Sequence, residues 1–154
     1  MIADGTDASA AALIHQALSE QGAVPRFVGI RLGRVQGADE VPLDIEVSME
    51  AAPSALWDAS VIPGGDASTA ALLQSGHALE FLRDQYRHCK PIMLIGDARR
   101  LMAKANIPAR LPSGKGDPGL LLIESDAVTS GVSAFAQALS QHRHFERESD
   151  PPGV

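Results

Sequence analysis

The residues best suited to chemistry in this chain are small or acidic. They gather after four short apolar runs, at Asp4-Gly5-Thr6-Asp7, Pro63-Gly64-Gly65-Asp66, Gly96-Asp97 and Glu124-Ser125-Asp126. The stretch "PIMLIGDARRLM" (91 to 102) poses the question most sharply. It reads as an apolar strand, a tight Gly-Asp turn and the start of a helix. Many α/β enzymes hold a Ser or Cys nucleophile clear of the sheet on such a turn. Asp97 stands there instead. Nucleophilic catalysis needs a nucleophile, a base within reach and donors for a developing oxyanion. The N–H groups of Gly64 and Gly65 suit the third role, but nothing supplies the other two. Asp4, Asp7, Gly64, Gly65, Gly96 and Asp97 are therefore the candidates for a degenerate pocket, with no catalytic set among them.

Other chemistries fare no better. A phosphate site wants glycines with a Lys or Arg at a helix start, whereas "IPGGD" sets Asp66 beside its glycines. Asp4, Asp7 and Asp97 could offer oxygens to Mg²⁺. Each is read more simply as a helix N-cap or first-turn acid, and no metal site is expected. An acidic rim would also suit a small cationic ligand of a regulatory module. Cys89 precedes the fourth strand, at the edge opposite Asp97, and reads as a buried or semi-buried structural thiol. His15, His77, His88, His142 and His144 all fall away from strand ends. The i,i+2 spacing of the last pair does not share a helix face, so solvated histidines are expected.

The elements that must position these residues alternate between β-type and helical patterns, the signature of a parallel sheet covered on both faces. Strands are expected at 1–3, 24–30, 59–65, 91–95 and 119–125. Residues 33 to 47 read as a hairpin-like excursion. Asp7 should cap a first helix that buries Ala10, Leu13, Ile14, Ala17 and Leu18, and Gly22 should stop it. A long helical region follows the third strand, with Leu72, Leu79, Leu82 and Tyr86 on one side and a break at Gly76. A short helix spans "ARRLMAKA", and a last helix turns Val132, Phe135, Ala136 and Leu139 inward. The sum is a flavodoxin-like, doubly wound, mostly parallel five-stranded sheet with helices on both faces, whose ligands sit at the strands' carboxyl ends. One domain over 1–145 and a charged, Pro-containing, frayed tail over 146–154 are expected.

Composition bounds the function. The chain has 154 residues, 45% hydrophobic and 21% charged, which suits one compact domain. A net charge of −6 lacks the basic face that sequence-independent nucleic-acid binding needs. With 4% aromatics, a stacking platform is not expected either. No apolar run reaches membrane-spanning length, and no secretory leader is read at the N-terminus. A single cysteine fits a reducing, cytoplasmic setting.

Four stretches carry a family resemblance: "IADGTDA", "VIPGG", "LEFLRDQYRHCKPI" and "HRHFERESDPP". Over nearly its whole length the chain resembles the C-terminal domain of large-subunit haem catalases, within the class I glutamine amidotransferase-like superfamily. The combination of "FLRDQYRHCKPI" with the terminal motif is the most specific part. The resemblance implies a non-catalytic domain in a hydrogen peroxide-detoxifying protein. Its role would be to stabilise a haem core or shape access to it, with that core, or its subunits in an oligomer, as partner. The enzymatic relatives carry a Cys where Gly96-Asp97 stands here and an acid where Asp4 or Asp7 stands; no histidine occurs in 103–125. The distal His, distal Asn and proximal Tyr of a haem site are not matched, since the only tyrosine is Tyr86 on a helix, so no cofactor is expected in this chain. The first strand begins several residues short of the family's usual strand, which suggests an excised domain or a partial stand-alone gene. The alternative is a stand-alone superfamily enzyme of glyoxalase or peptidase type, or a chaperone.

Overall fold

The computed structural model describes residues 1–149. The strand Ile92–Ile95 organises the fold, so the elements are introduced here in chain order and then built around it. They are α1 (Ala8–Glu20), β1 (Val28–Gly29), β2 (Gly33–Gln36), β3 (Pro42–Ile45), β4 (Val47–Ser48), β5 (Ser60–Ile62), α2 (Asp66–Gln74), α3 (Gly76–Arg87), β6 (Ile92–Ile95), α4 (Leu101–Lys104), β7 (Leu120–Ile123) and α5 (Val128–Ser140), with short 3-10 turns at Ser54–Leu56, Gly96–Arg100 and Phe145–Ser149.

All four residues of β6 are buried. Successive side chains of a strand point to opposite faces, and the two faces here are both dry. Ile92 and Leu94 join Leu72, Leu82, Tyr86 and Leu101 beneath α2 and α3. Met93 and Ile95 join Ile14, Leu18, Val132 and Phe135 beneath α1 and α5. β6 pairs in parallel with β5 on one edge and β7 on the other. The doubly covered parallel sheet is the architecture that the alternating pattern implies.

The expectation of five strands in one sheet is not met. The described residues form a three-stranded parallel sheet β5-β6-β7, a parallel pair β1-β4 and an antiparallel hairpin β2-β3. Met1–Ala3 carries no ladder of its own but threads between β1 and β5. Ile2 N–H donates to Val28 O at 2.9 Å, and the Met1 amine donates to Val61 O at 2.6 Å. Three residues give too few bonds to zip the two sheets into one.

The hairpin, the break before Gly76 and the stop at Gly22 lie where the patterns put them. Ser75 caps α3 by accepting from Ala78 N–H, and Gly22 has φ of 85°. Two helical faces differ from expectation. Leu13 is 41% exposed, and Ala8 and Ala11 are buried in its place, so α1 is rotated toward its small residues. The helix expected over "ARRLMAKA" begins as a 3-10 turn and only its second half is α4.

The largest departure is at the C-terminal end. Of the expected frayed tail, 150–154 lies outside the described residues, but Phe145–Ser149 is a docked 3-10 turn. Arg147 within it is 1% exposed. Its Nε and Nη2 donate to Asp117 at 2.6 and 3.1 Å, its Nη1 donates to Lys90 O at 2.7 Å, and its guanidinium lies 4.6 Å from the Tyr86 ring centroid. Asp117 also accepts from Gly119 N–H at 2.8 Å. His144 is buried too, its ring nitrogen 3.2 Å from Ala138 O. It is not the solvated residue expected. No helix among the described residues is long and apolar enough to cross a membrane.

A buried charge left without its partner is costly, whereas removing both charges together is far less so. Asp117→Ala is therefore expected to destabilise the fold by about 3–5 kcal/mol in urea unfolding. The double change Asp117→Ala with Arg147→Met should recover a clear part of that loss.

Candidate functional site

The residues named as candidates for a degenerate pocket lie around the ends of β5, β6 and the Met1–Ala3 segment. Gly64 and Gly65 turn the chain out of β5 with φ of 90° and 101°, a left-handed region that glycine alone enters freely. Space demands glycine as well. A Cβ on Gly65 would collide with the Gly5 carbonyl, and one on Gly64 would stand 2.8 Å from Ile95 O. The chain after Ala3 is thus pressed against the chain after β5. Asp7 N–H and Thr6 Oγ1 both donate to Gly64 O, at 3.2 and 3.3 Å.

Asp97 reaches into this junction from the turn after β6. Its Oδ1 accepts from Gly65 N–H at 3.0 Å, while its Oδ2 is buried with no protein partner. Of the two roles expected, Asp97 is the acid in the first turn of its 3-10 segment, but it makes no side-chain cap there. The carboxylate instead locks two strand ends together and consumes the Gly65 donor that an oxyanion would need. Asp7 does cap α1, its Oδ1 accepting from Ala10 N–H at 2.8 Å. Asp4 faces elsewhere, accepting from Gln36 N–H at 2.8 Å and holding the hairpin. Gly96 is packed under Ser125, whose Oγ fills the place of a Cβ.

The structure therefore brings together Asp7, Gly64, Gly65 and Asp97, and turns the Asp4 carboxylate away. The neighbouring arginines are engaged at the rim, Arg99 with Glu124 at 2.7 Å and Arg100 with Asp66 at 2.8 Å. No histidine reaches the junction. His15 and His142 line a cavity on the amino-terminal side of the sheet, and His144 packs against Gly119. Among the described residues no group of three or more His, Cys, Asp or Glu is arranged to hold a metal ion.

Cys89 is buried beyond the other end of β6, in a left-handed conformation with φ of 57°. Burial pushes its thiol pKa up, the reverse of what an activated cysteine needs. The neighbouring Lys90 is also buried. Its Nζ donates to Ser54 O and Ala55 O at 2.9 and 3.2 Å, and burial pushes its pKa down.

A family model described as the C-terminal domain found in long catalases matches residues 1–149. The chain belongs to that family. Its catalase C-terminal domain is 33% identical over 149 residues to catalase HPII of Pseudomonas aeruginosa, a match covering 97% of this chain and 20% of that protein. It is 35% identical over 157 residues to catalase HPII of Pseudomonas putida, covering 100% of this chain and 20% of that protein. The chain thus spans about a fifth of the length of the curated relatives it matches. Drosophila melanogaster DJ-1beta superposes with a TM-score of 0.77 at 18% identity, over 99% of this chain and 95% of that one. Schizosaccharomyces pombe DJ-1 gives 0.73 at 16%, over 91% and 88%. These likenesses establish the flavodoxin-like fold of the catalase C-terminal domain.

Of the six residues named from the sequence, the structure brings Asp7, Gly64, Gly65 and Asp97 together; the polar cluster of Lys90, Asp117, His144 and Arg147 at the opposite end of β6 was missed. The one available signal was Asp117 placed two residues before an apolar strand.

Asp97→Ala is expected to cost about 1.5–3 kcal/mol in chemical unfolding, the range for a hydrogen bond to a charged group, and Asp97→Cys to show no aldehyde or peptide turnover. Native Cys89 should resist alkylation by iodoacetamide at neutral pH and react promptly once the chain is unfolded, as followed by intact mass.

Proposed function

We propose that this chain acts as a non-catalytic domain beside a haem-catalase core, in a cytoplasmic protein that degrades hydrogen peroxide. The observation that carries the reading is the use of Asp97. In the position suited to a nucleophile, its carboxylate spends one oxygen on Gly65 N–H, and no histidine stands near to serve as base. Strand-end geometry that would position a substrate is given over to holding the fold together. Membership of the long-catalase C-terminal family supplies the context, and the core domain and subunits of such a protein are the partners. The glyoxalase or peptidase alternative has no residue set to support it.

Haem belongs to that core and not to this chain. Tyr86, the sole tyrosine, is fully buried with Arg147 over its ring, which leaves no face for an axial ligand to present to a macrocycle. The role proposed is mechanical: a rigid module that stabilises the assembled catalase and shapes the path to its core. A net charge of −6 argues against nucleic acid as a partner.

The test has two arms. Purified chain mixed with haemin should develop no stoichiometric Soret band and no peroxide dismutation. In a chimera, this chain would replace the matched fifth of Pseudomonas putida catalase HPII. It is expected to keep peroxide turnover within about twofold and to resist heat better than a form lacking that segment. Dismutation by the chain alone, or a chimera no more heat-resistant than the truncated form, would overturn the reading.

A further inference from the structure

A second cavity, of about 290 Å³, lies on the carboxyl side of Ile2, between the chain after β1 and the base of the β2-β3 hairpin. Its origin is a parting of backbones. Ile2 N–H donates to Val28 O, and a parallel ladder would continue with Ile30 N–H donating to Ile2 O. That bond is not made among the described residues, and the chain bends away at Ile30. The hairpin closes the far side, where Gln36 N–H donates to Asp4 Oδ1 at 2.8 Å and Gln36 O accepts from Gly5 N–H at 2.7 Å.

Two opposite charges line this cavity without meeting. Asp4 spends Oδ1 on Gln36 N–H, and its Oδ2 bonds to no described residue. Arg31 is exposed and makes no hydrogen bond or ion pair with any described residue. The third charged residue, Arg34, is already paired with Asp44 at 2.8 Å. The rest of the wall is aliphatic apart from Gly33, with Ile30, Leu32, Val35, Ile45 and Ala71 among its residues. Ile45 is buried and packs against Gly29, while Leu32 stands at the lip with 67% of its surface exposed. A lone anion on Arg31 would face the Asp4 carboxylate, and a lone cation on Asp4 would face Arg31. A molecule that carries both charges answers both residues, and the aliphatic wall calls for an apolar body.

We propose that this cavity binds a free α-amino acid with an aliphatic side chain. Its carboxylate pairs with Arg31, its ammonium with Asp4 Oδ2, and its side chain covers Ile30, Ile45 and Ala71. The Ile30 N–H, left open where the ladder stops, is a further donor on the Arg31 wall. The site stands past the carboxyl ends of β1 and of Met1–Ala3, the edge on which doubly wound sheets bind ligands. It needs neither the Asp97 junction nor a catalase core, so it goes beyond the role proposed above. Exposed ion pairs are weak singly, and the expected Kd is on the order of 1 mM.

The experiment titrates the whole chain with L-leucine and follows individual backbone amides by NMR. Two analogues each lack one charge: isocaproate has no ammonium, and isopentylamine has no carboxylate. Saturable shifts are expected at Asp4, Ile30 and Arg31, with each analogue binding about tenfold more weakly or worse. Arg31→Gln should weaken leucine binding by a similar factor at an unchanged urea midpoint, because the guanidinium makes no bond within the described fold. Asp4→Asn keeps an acceptor for Gln36 N–H and should weaken binding likewise. No saturation by about 10 mM leucine, or equal binding of leucine and either analogue, would overturn the proposal. So would undiminished binding by Arg31→Gln, or shifts confined to the cavity that His15 and His142 line.

Discussion

Burial of β6 on both faces and both edges is the constraint around which the rest of the molecule is arranged. A strand so enclosed can meet water only where it enters and where it leaves, and each end must dispose of polar groups within the protein. At the exit, the turn at Gly96-Asp97 cannot simply run into solvent, because Gly64, at the end of β5, crowds against it. Asp97 answers by accepting from Gly65 N–H. At the entry, Lys90 and Cys89 are buried, and the carbonyl of Lys90 needs a donor that no strand supplies. Arg147 provides it, with Asp117 neutralising the charge that it brings. The two polar clusters of the domain are thus two answers to one problem, at opposite ends of the same four residues.

That symmetry bears on what the strand ends can do. In a doubly wound sheet the carboxyl edge is where ligands bind, because helix starts and loose loops converge there. Here the glycines that would let a ligand approach are used for backbone to approach backbone. The two residues best able to make an anion site, Arg99 and Arg100, are drawn off to Glu124 and Asp66 at the rim. Each contact is modest by itself, and exposed pairs of this sort contribute little to stability. Together they leave the junction closed and its donors occupied.

Much of this was legible in the sequence wherever the cause is local. The period of 3.6 marked α3 and α5, Asp7 announced the start of α1, Gly76 marked the break in the long helical stretch, and the unbroken apolar run marked β6. Asp97 was correctly seen at the turn, but its partner was not, since nothing near it in sequence says that Gly65 lies beside it. Arg147 and Asp117 are separated by 30 positions, and a run of charge followed by prolines looks the same whether it dangles or docks. The strand count failed for a related reason. Pairing of Met1–Ala3 is decided by how many residues can bond across a gap, and periodicity does not measure that.

The docked C-terminal turn also alters what kind of module this domain is. Arg147 ties residues near the end of the described chain to the loop before β7 and to the entry of β6, and its guanidinium covers Tyr86 of α3. A segment held in this way is anchored to the entry of the central strand. A catalytic domain gains from strand ends that can open around a substrate. A domain that stiffens a larger assembly gains from ends that cannot, and in this molecule both ends of the central strand are fastened by buried or half-buried charge.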